Sequence, residues 1–267
     1  MNLFSFLCRA HDLQNRLCID ATRISDGKYV MLKRLLEREG PHELEINKMF
    51  SKEPLASDPR NHCARLLDTI ELPNDPPIMI HSFLRPFYKP RFQTCGEFVA
   101  FFRQISEVRI ALFSRSRSYC STPTRVSNLC IRIMSRIGNF LPLHIHWPLN
   151  MAIRDCASEN IMFDPTKMYL KSFHPSEINL NRNFRGRAKR HTRTWRPPQY
   201  LLIDMGLSRR YDPANGPPLE KPLRGGDKSA PEHKDLQTPC DPFPTDVYYL
   251  GNLVREQFIQ VCTLIRS

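Results

Sequence analysis

The stretch that most constrains this chain is residues 153–163, with its echo at 200–206. In the first, Arg154 and Asp155 are followed, after four intervening residues, by Asn160, and then by a short apolar strand. In the second, the apolar strand Tyr200, Leu201, Leu202, Ile203 runs into Asp204, Met205, Gly206. An acid, an amide and a second acid at the ends of short strands can cage a metal bound to phosphate. Taken singly, Asp155 and Asn160 are also ordinary turn residues, and Asp204 an ordinary strand end.

Upstream, residues 17–33 read as a β-hairpin around the turn Ser25, Asp26, Gly27. Its second strand ends on Lys33, whose plain reading is a cation snorkelling from a strand end. Residues 41–52 read as a helix, with Pro41 in the first turn and Glu43 and Glu45 along it. Residues 62–72 and 77–84 read as two more strands joined by a Pro/Asn/Asp turn. Residues 95–107 read as a helix burying Phe98, Val99, Phe101, Phe102 and Ile105. A last helix is expected over 245–260, with Asp246 at its start.

The six ordered motifs resemble a protein kinase, most of all the kinase-like domain proteins of mushroom-forming fungi. Val30, Met31, Leu32, Lys33 stand where kinases have V-A-I-K, and Glu43 stands where the next helix pairs with that lysine. Ile153 to Asn160 matches H-R-D-x-x-x-x-N, and Asp204 to Gly206 matches D-F-G. Ala230, Pro231, Glu232 match A-P-E, and residues 246–251 match D-V-W-x-L-G. The resemblance covers residues 21–260.

It implies an α+β, two-lobed protein-kinase-like fold: a small antiparallel β lobe and hinge at 17–92, after an extension at 1–16, and a truncated, mainly helical large lobe at 93–267. It also implies ATP and Mg²⁺ as cofactors. Asp155 would be the catalytic base, with Arg154 as a charge partner beside it. Lys33, fixed by Glu43, would hold the α- and β-phosphates, and Asn160 and Asp204 the Mg²⁺. Asp246 would anchor the catalytic loop. The implied activity is ATP-dependent phosphoryl transfer to protein Ser/Thr hydroxyls. The rival is a catalytically impaired pseudokinase, or a truncated gene product acting as a binding module.

The departures from the pattern are specific. No glycine precedes Gly27, so no G-x-G-x-x-G covers the phosphates. Ile153 replaces the histidine, Met205 the phenylalanine, and Met31 the small residue over the adenine. Ala157 occupies a place where many Ser/Thr kinases have a lysine for the γ-phosphate. The chain stops at Ser267 before the helices that carry the usual partner of Glu232, so that carboxylate is expected to lack one.

Composition matters through where the charge lies. The net charge is +12, and it is concentrated in two segments. Residues 108–150 hold six Arg and no acid, show no helical period, and read as an insertion, either translated non-coding sequence or a basic disordered loop. Residues 165–199 hold nine Lys/Arg against the single acid Glu177. This second segment reads as an insertion between two surviving strands, with a solvated flexible loop as its plainest form. Its alternative role is to bind nucleic acid or an acidic partner, or to act as a nuclear import signal. Nine cysteines without any C-x-x-C argue against a disulfide framework and for an intracellular place, cytoplasmic or nuclear. No run of eighteen apolar residues exists, so no membrane span is expected.

Overall fold

In a computed structural model of the chain, residues 6–8, 17–36, 40–112, 150–223 and 227–259 are described. The chain divides into two compact units, residues 1–98 with 162–203 and residues 99–161 with 204–267. Residues 162–203, read above as part of the second domain, therefore group with the first.

The first unit is organised on a five-stranded antiparallel sheet of order β1-β2-β3-β5-β4. The strands are β1 (Phe6–Cys8), β2 (Cys18–Arg23), β3 (Tyr29–Arg34), β4 (Leu66–Leu72) and β5 (Asp75–Ser82). β1, inside the expected N-terminal extension, pairs with β2 as an edge strand. The turn between β2 and β3 places Gly27 at φ 66°, a left-handed conformation that glycine adopts without a Cβ penalty. Helix α1 (Glu43–Phe50) lies between β3 and β4 in sequence.

β3 shows why the sheet sits as it does. Val30 and Leu32 are buried while Tyr29, Met31 and Lys33 are half-buried, the period-2 alternation of a strand with two different faces. On one face Ala21, Val30, Leu32 and Ile80 form a core cluster. A second cluster joins Leu35, Leu66 and Met79, with Leu44 of α1 packed against it. Lys33 pairs in register with Met79, so it stands on the α1 side.

Residues 62–64 do not extend β4, contrary to expectation. Their backbone is spent elsewhere: Leu202 donates to the His62 carbonyl at 2.6 Å and Ala64 to Leu202 at 2.8 Å. β9 (Tyr200–Leu202) thus has a parallel bridge beside it as well as its place in a three-stranded sheet with β6 (Arg85–Pro86) and β8 (Ile161–Phe163).

The insertion 165–199 is a folded part of the first unit, which corrects its reading as a flexible solvated loop. Its root is closed by the Asp164 N–H bonded to the Gln199 carbonyl at 2.9 Å. Met168, Tyr169, Phe173 and His174 are buried. Two arginines enter the core. Arg193, 3% exposed, donates to the Tyr200 hydroxyl (2.6 Å) and to the carbonyls of Phe87 (2.6 Å) and Pro90 (2.7 Å), over the rings of Phe92, Phe163 and Tyr200. Arg85 lies over the rings of Tyr169 and Phe173 and donates to the Ile178 carbonyl. Burial pushes its guanidinium down to about 10. Each charge is offset by carbonyl oxygens and ring faces, the favourable surroundings for a desolvated guanidinium.

Helix α2 (Cys95–Leu112) runs five residues beyond its expected end, into the segment expected to lack helical pattern. Phe101, Phe102 and Ile105 are buried as expected, but Val99 is 37% exposed. Glu97 is buried instead. It accepts hydrogen bonds from the Gln93 N–H and from the Thr194 N–H and hydroxyl, tying the insertion to the first turn of the helix. The rest of the expected insertion 108–150, up to residue 149, lies outside the described residues.

The second unit contains β7 (Met151–Ala152) paired with β10 (Arg209–Arg210), and helix α3 (Pro242–Val254), continued by a π-turn at Arg255–Ile259. α3 starts three residues before its expected start. Asp241 caps it by accepting from the Phe243 N–H at 2.9 Å, and Pro242 occupies the first turn. Among the described residues no helix is long and apolar enough to cross a membrane.

Candidate phosphate and metal site

In the first unit, the geometry around Lys33 starts from the sheet. Strand β3 delivers the side chain to the α1 face, and Glu43, the first residue of α1, meets it there. Lys33 Nζ and Glu43 Oε1 are 2.6 Å apart, with the two side chains 15% and 5% exposed. An ion pair this secluded is weak evidence for stability, because desolvation consumes much of the attraction. Its consequence is positional: the ammonium is held at a fixed point, charged and nearly out of solvent. His81 stands on the same face two residues from Met79, the partner of Lys33. Burial pushes His81 down to about 4; the Arg65 carbonyl opposes that and the Lys33 charge adds to it.

In the second unit, the loop after β7 is fastened by Asp246. This carboxylate, 1% exposed, accepts from the Ile153 N–H and the Arg154 N–H, both at 2.8 Å. Ser208 closes the other side, its hydroxyl donating to the Ile153 carbonyl at 3.1 Å. Arg154 is held at φ 65°, an uncommon conformation for a side chain of its size. Its backbone is fixed by Asp246, and its guanidinium by the Glu220 carboxylate and the Lys221 carbonyl (3.0 Å). Glu220 was not found from the sequence. It is one carboxylate in a Gly/Pro-rich loop with no spacing that links it to Arg154.

Asp155 and Asn160 meet directly. Asn160 Nδ2 donates to Asp155 Oδ2 at 2.8 Å and to the Asp155 carbonyl at 3.0 Å. The 3₁₀ turn Ser158–Asn160 brings them together, with the Asn160 N–H on the Ala157 carbonyl. This commits the amide nitrogen to the loop and leaves Oδ1, the atom able to ligate a cation, outside that pair. Ala157 is buried, 5% exposed.

Asp204 is exposed and sits at φ 59°, with Oδ1 accepting from the Gly206 N–H at 3.2 Å. Aspartate tolerates this left-handed region better than most residues. The next side chain, Met205, is 1% exposed and its sulfur lies 3.5 Å from the Ser208 hydroxyl. β8 and β9 are neighbours in one sheet, and the link at Asp164 and Gln199 closes one end of that pair.

Asn160 offers an amide oxygen and Asp204 an exposed carboxylate, donors of the kind Mg²⁺ takes. Among the described residues no three His, Cys, Asp or Glu side chains gather as a metal cluster. Mg²⁺ needs no such cage, since it is held by one or two carboxylates together with substrate phosphates and water. One amide oxygen and one exposed carboxylate match that demand. Glu232 Oε2 is buried and has no hydrogen-bond partner among the described residues.

No family model matches this sequence. No curated protein matches it either. Among solved structures it is similar to the kinase domain of PF14_0431 (14% identity, TM-score 0.42, covering 79% of this chain and 53% of that one). It is also similar to the Cydia pomonella granulovirus kinase PK-1 (10% identity, TM-score 0.49, covering 96% and 69%). A third is the Rad53 kinase domain and SCD2 (13% identity, TM-score 0.38, covering 77% and 52%). The chain thus spans about half the length of the first and third of these.

Proposed function

We propose that this chain is protein-kinase-like and binds MgATP, and that its residues are arranged for phosphoryl transfer to a Ser/Thr hydroxyl of a protein. The observation that carries the reading is the Lys33 ammonium fixed 2.6 Å from Glu43. The two residues stand ten apart at the positions of the strand lysine and helix glutamate of the kinase motifs, and a chance lysine at a strand end has no reason to meet that glutamate. The caged loop of Asp155 and Asn160, hung on Asp246, supports the same reading.

MgATP, when bound, supplies the transferable γ-phosphoryl group. Lys33 meets phosphate oxygens with a charge that Glu43 keeps in place. Asn160, through its amide oxygen, and Asp204, through its carboxylate, would hold the Mg²⁺. Asp155, oriented by the Asn160 amide, accepts the proton of the attacking hydroxyl. Arg154 does not touch the reacting atoms in this scheme; it positions the loop through Glu220 and Asp246.

A second reading, a nucleotide-binding pseudokinase, is favoured by Ala157. Its methyl is buried where a lysine would neutralise the γ-phosphate, and such charge stabilisation is a large part of catalysis. One experiment separates the two. Thermal unfolding with and without MgATP, on wild type and Asp204→Ala, is paired with a phosphate-transfer assay on a generic protein substrate. A shift lost in Asp204→Ala, with transfer, supports the kinase. A shift without transfer supports the pseudokinase, and no shift in wild type refutes both.

A further inference from the structure

We infer that the folded insertion 165–199 is a nucleic-acid-binding surface that recognises the phosphate backbone. This inference is independent of the phosphoryl-transfer reading, since none of its residues belongs to that site.

The segment separates its cations into two kinds. Arg193 is consumed by the core and Arg182 by the Gly27 carbonyl and the Tyr29 ring. The remainder, Arg185, Arg187, Lys189, Arg190 and Arg196, with Lys167 and Lys171, are all exposed. Among the described residues none of these seven forms an ion pair, and Glu177 is the only acid in the segment. A solvated surface interleaves both signs; this one does not.

These cations are also held in place, which a flexible basic tail would not achieve. Residues 181–186 form a tight turn. The Asn181 N–H bonds to the Gly186 carbonyl at 2.9 Å, its side chain donates to the Arg185 carbonyl at 2.7 Å, and Leu180 bridges Arg187. The His191 N–H is bonded to the Met168 carbonyl, and Thr194 is clamped by Glu97. Ordering costs are thereby met by the fold and not by the ligand. Arginine outnumbers lysine among the exposed cations, which suits bidentate phosphate contacts. Trp195, 70% exposed between Thr194 and Arg196, adds an indole face on which a base can stack. A carboxylate-rich protein would use the cations but leave that indole without a partner, so nucleic acid is the better fit.

The test is fluorescence anisotropy of the full chain with labelled 20-nucleotide RNA and DNA of one mixed sequence, between 50 and 200 mM salt. With about five phosphates neutralised, log affinity should fall against log salt with a slope of about −3.5, a loss of roughly 100-fold over that range. The quadruple variant Arg185→Gln, Arg187→Gln, Lys189→Gln, Arg190→Gln should weaken binding more than about 100-fold at 0.1 M salt and flatten the slope. Trp195→Ala should cost about tenfold and leave the slope unchanged. An unaltered melting temperature in both variants keeps folding out of the comparison. Failure to bind either oligonucleotide at 50 mM salt overturns the inference. So does binding untouched by the quadruple variant, or poly-L-glutamate competing as well as RNA at equal charge.

Discussion

Replacing Asp246 by asparagine should destabilise the second unit by about 2–4 kcal/mol. Two backbone N–H groups, of Ile153 and Arg154, each reach one carboxylate oxygen at 2.8 Å, at a site that is 1% exposed. Hydrogen bonds to a charged group contribute about 1.5–3 kcal/mol each. Asparagine keeps one acceptor oxygen and turns an NH₂ toward the other N–H, so one bond becomes neutral and the other is lost with its donor still buried. The left-handed Arg154, which costs roughly 1–3 kcal/mol to hold, loses part of what holds it. Alanine, which leaves both donors unpaired, should cost more than asparagine. Urea unfolding followed by fluorescence measures all three proteins. An Asp246→Asn variant within 0.5 kcal/mol of wild type, or one more stable than wild type, would refute the reasoning that this carboxylate suspends the loop.

Other outcomes follow from single contacts. His81 is pushed from an ordinary 6.5 to about 4, so below pH 6.5 the unfolded chain takes up a proton that the folded chain refuses. Stability from this group is therefore full above pH 6.5 and falls as pH drops toward 4, by up to about 1.4 kcal/mol per pH unit. His81→Gln should flatten that part of the stability profile, and an identical slope in both proteins would contradict it. Arg193→Met keeps bulk but removes the donors to Tyr200, Phe87 and Pro90, leaving their oxygens buried. Limited proteolysis should then cut within 165–199 well before wild type is cut; equal resistance would mean that the arginine does not fasten the segment.

How far the sequence could be read differs residue by residue. Lys33, Glu43, Asp155, Asn160 and Asp246 stand out only through the resemblance of their motifs to those of a protein kinase; taken alone, Lys33 reads as a strand end and Asp155 and Asn160 as turn residues. The alternation Val30, Leu32 against Met31, Lys33 made β3 legible. Glu220 was invisible because its contact with Arg154 joins positions 66 residues apart, a separation that no helix or strand period spans. The fold of 165–199 was missed because a run of Lys/Arg reads as solvent-exposed, whereas Arg193 within it is buried against the rings of Phe92 and Phe163, and Arg85 of the preceding connection is buried against Tyr169 and Phe173. The cluster Phe83, Phe87, Tyr88, Phe92 was the available signal: so much aromatic surface in a short connection needs something to cover it. The start of α3 was legible in Asp241 and Pro242, a capping residue before a proline, although the motif at Asp246 drew the boundary inward.

The measurement closest to the central claim is MgATP-dependent thermal stability of wild type, Lys33→Met and Asp204→Ala. With ligand at a hundred times Kd, binding adds about 2.7 kcal/mol, or a rise of roughly 5–11 °C for a chain of this size. The account predicts that rise in wild type, its loss in Asp204→Ala and a marked reduction in Lys33→Met, each read against that variant's own unliganded melting temperature, which in Asp204→Ala is lowered by alanine at φ 59° and by the lost Gly206 N–H bond. A wild type that does not respond to MgATP, or one whose response survives both substitutions, would contradict it.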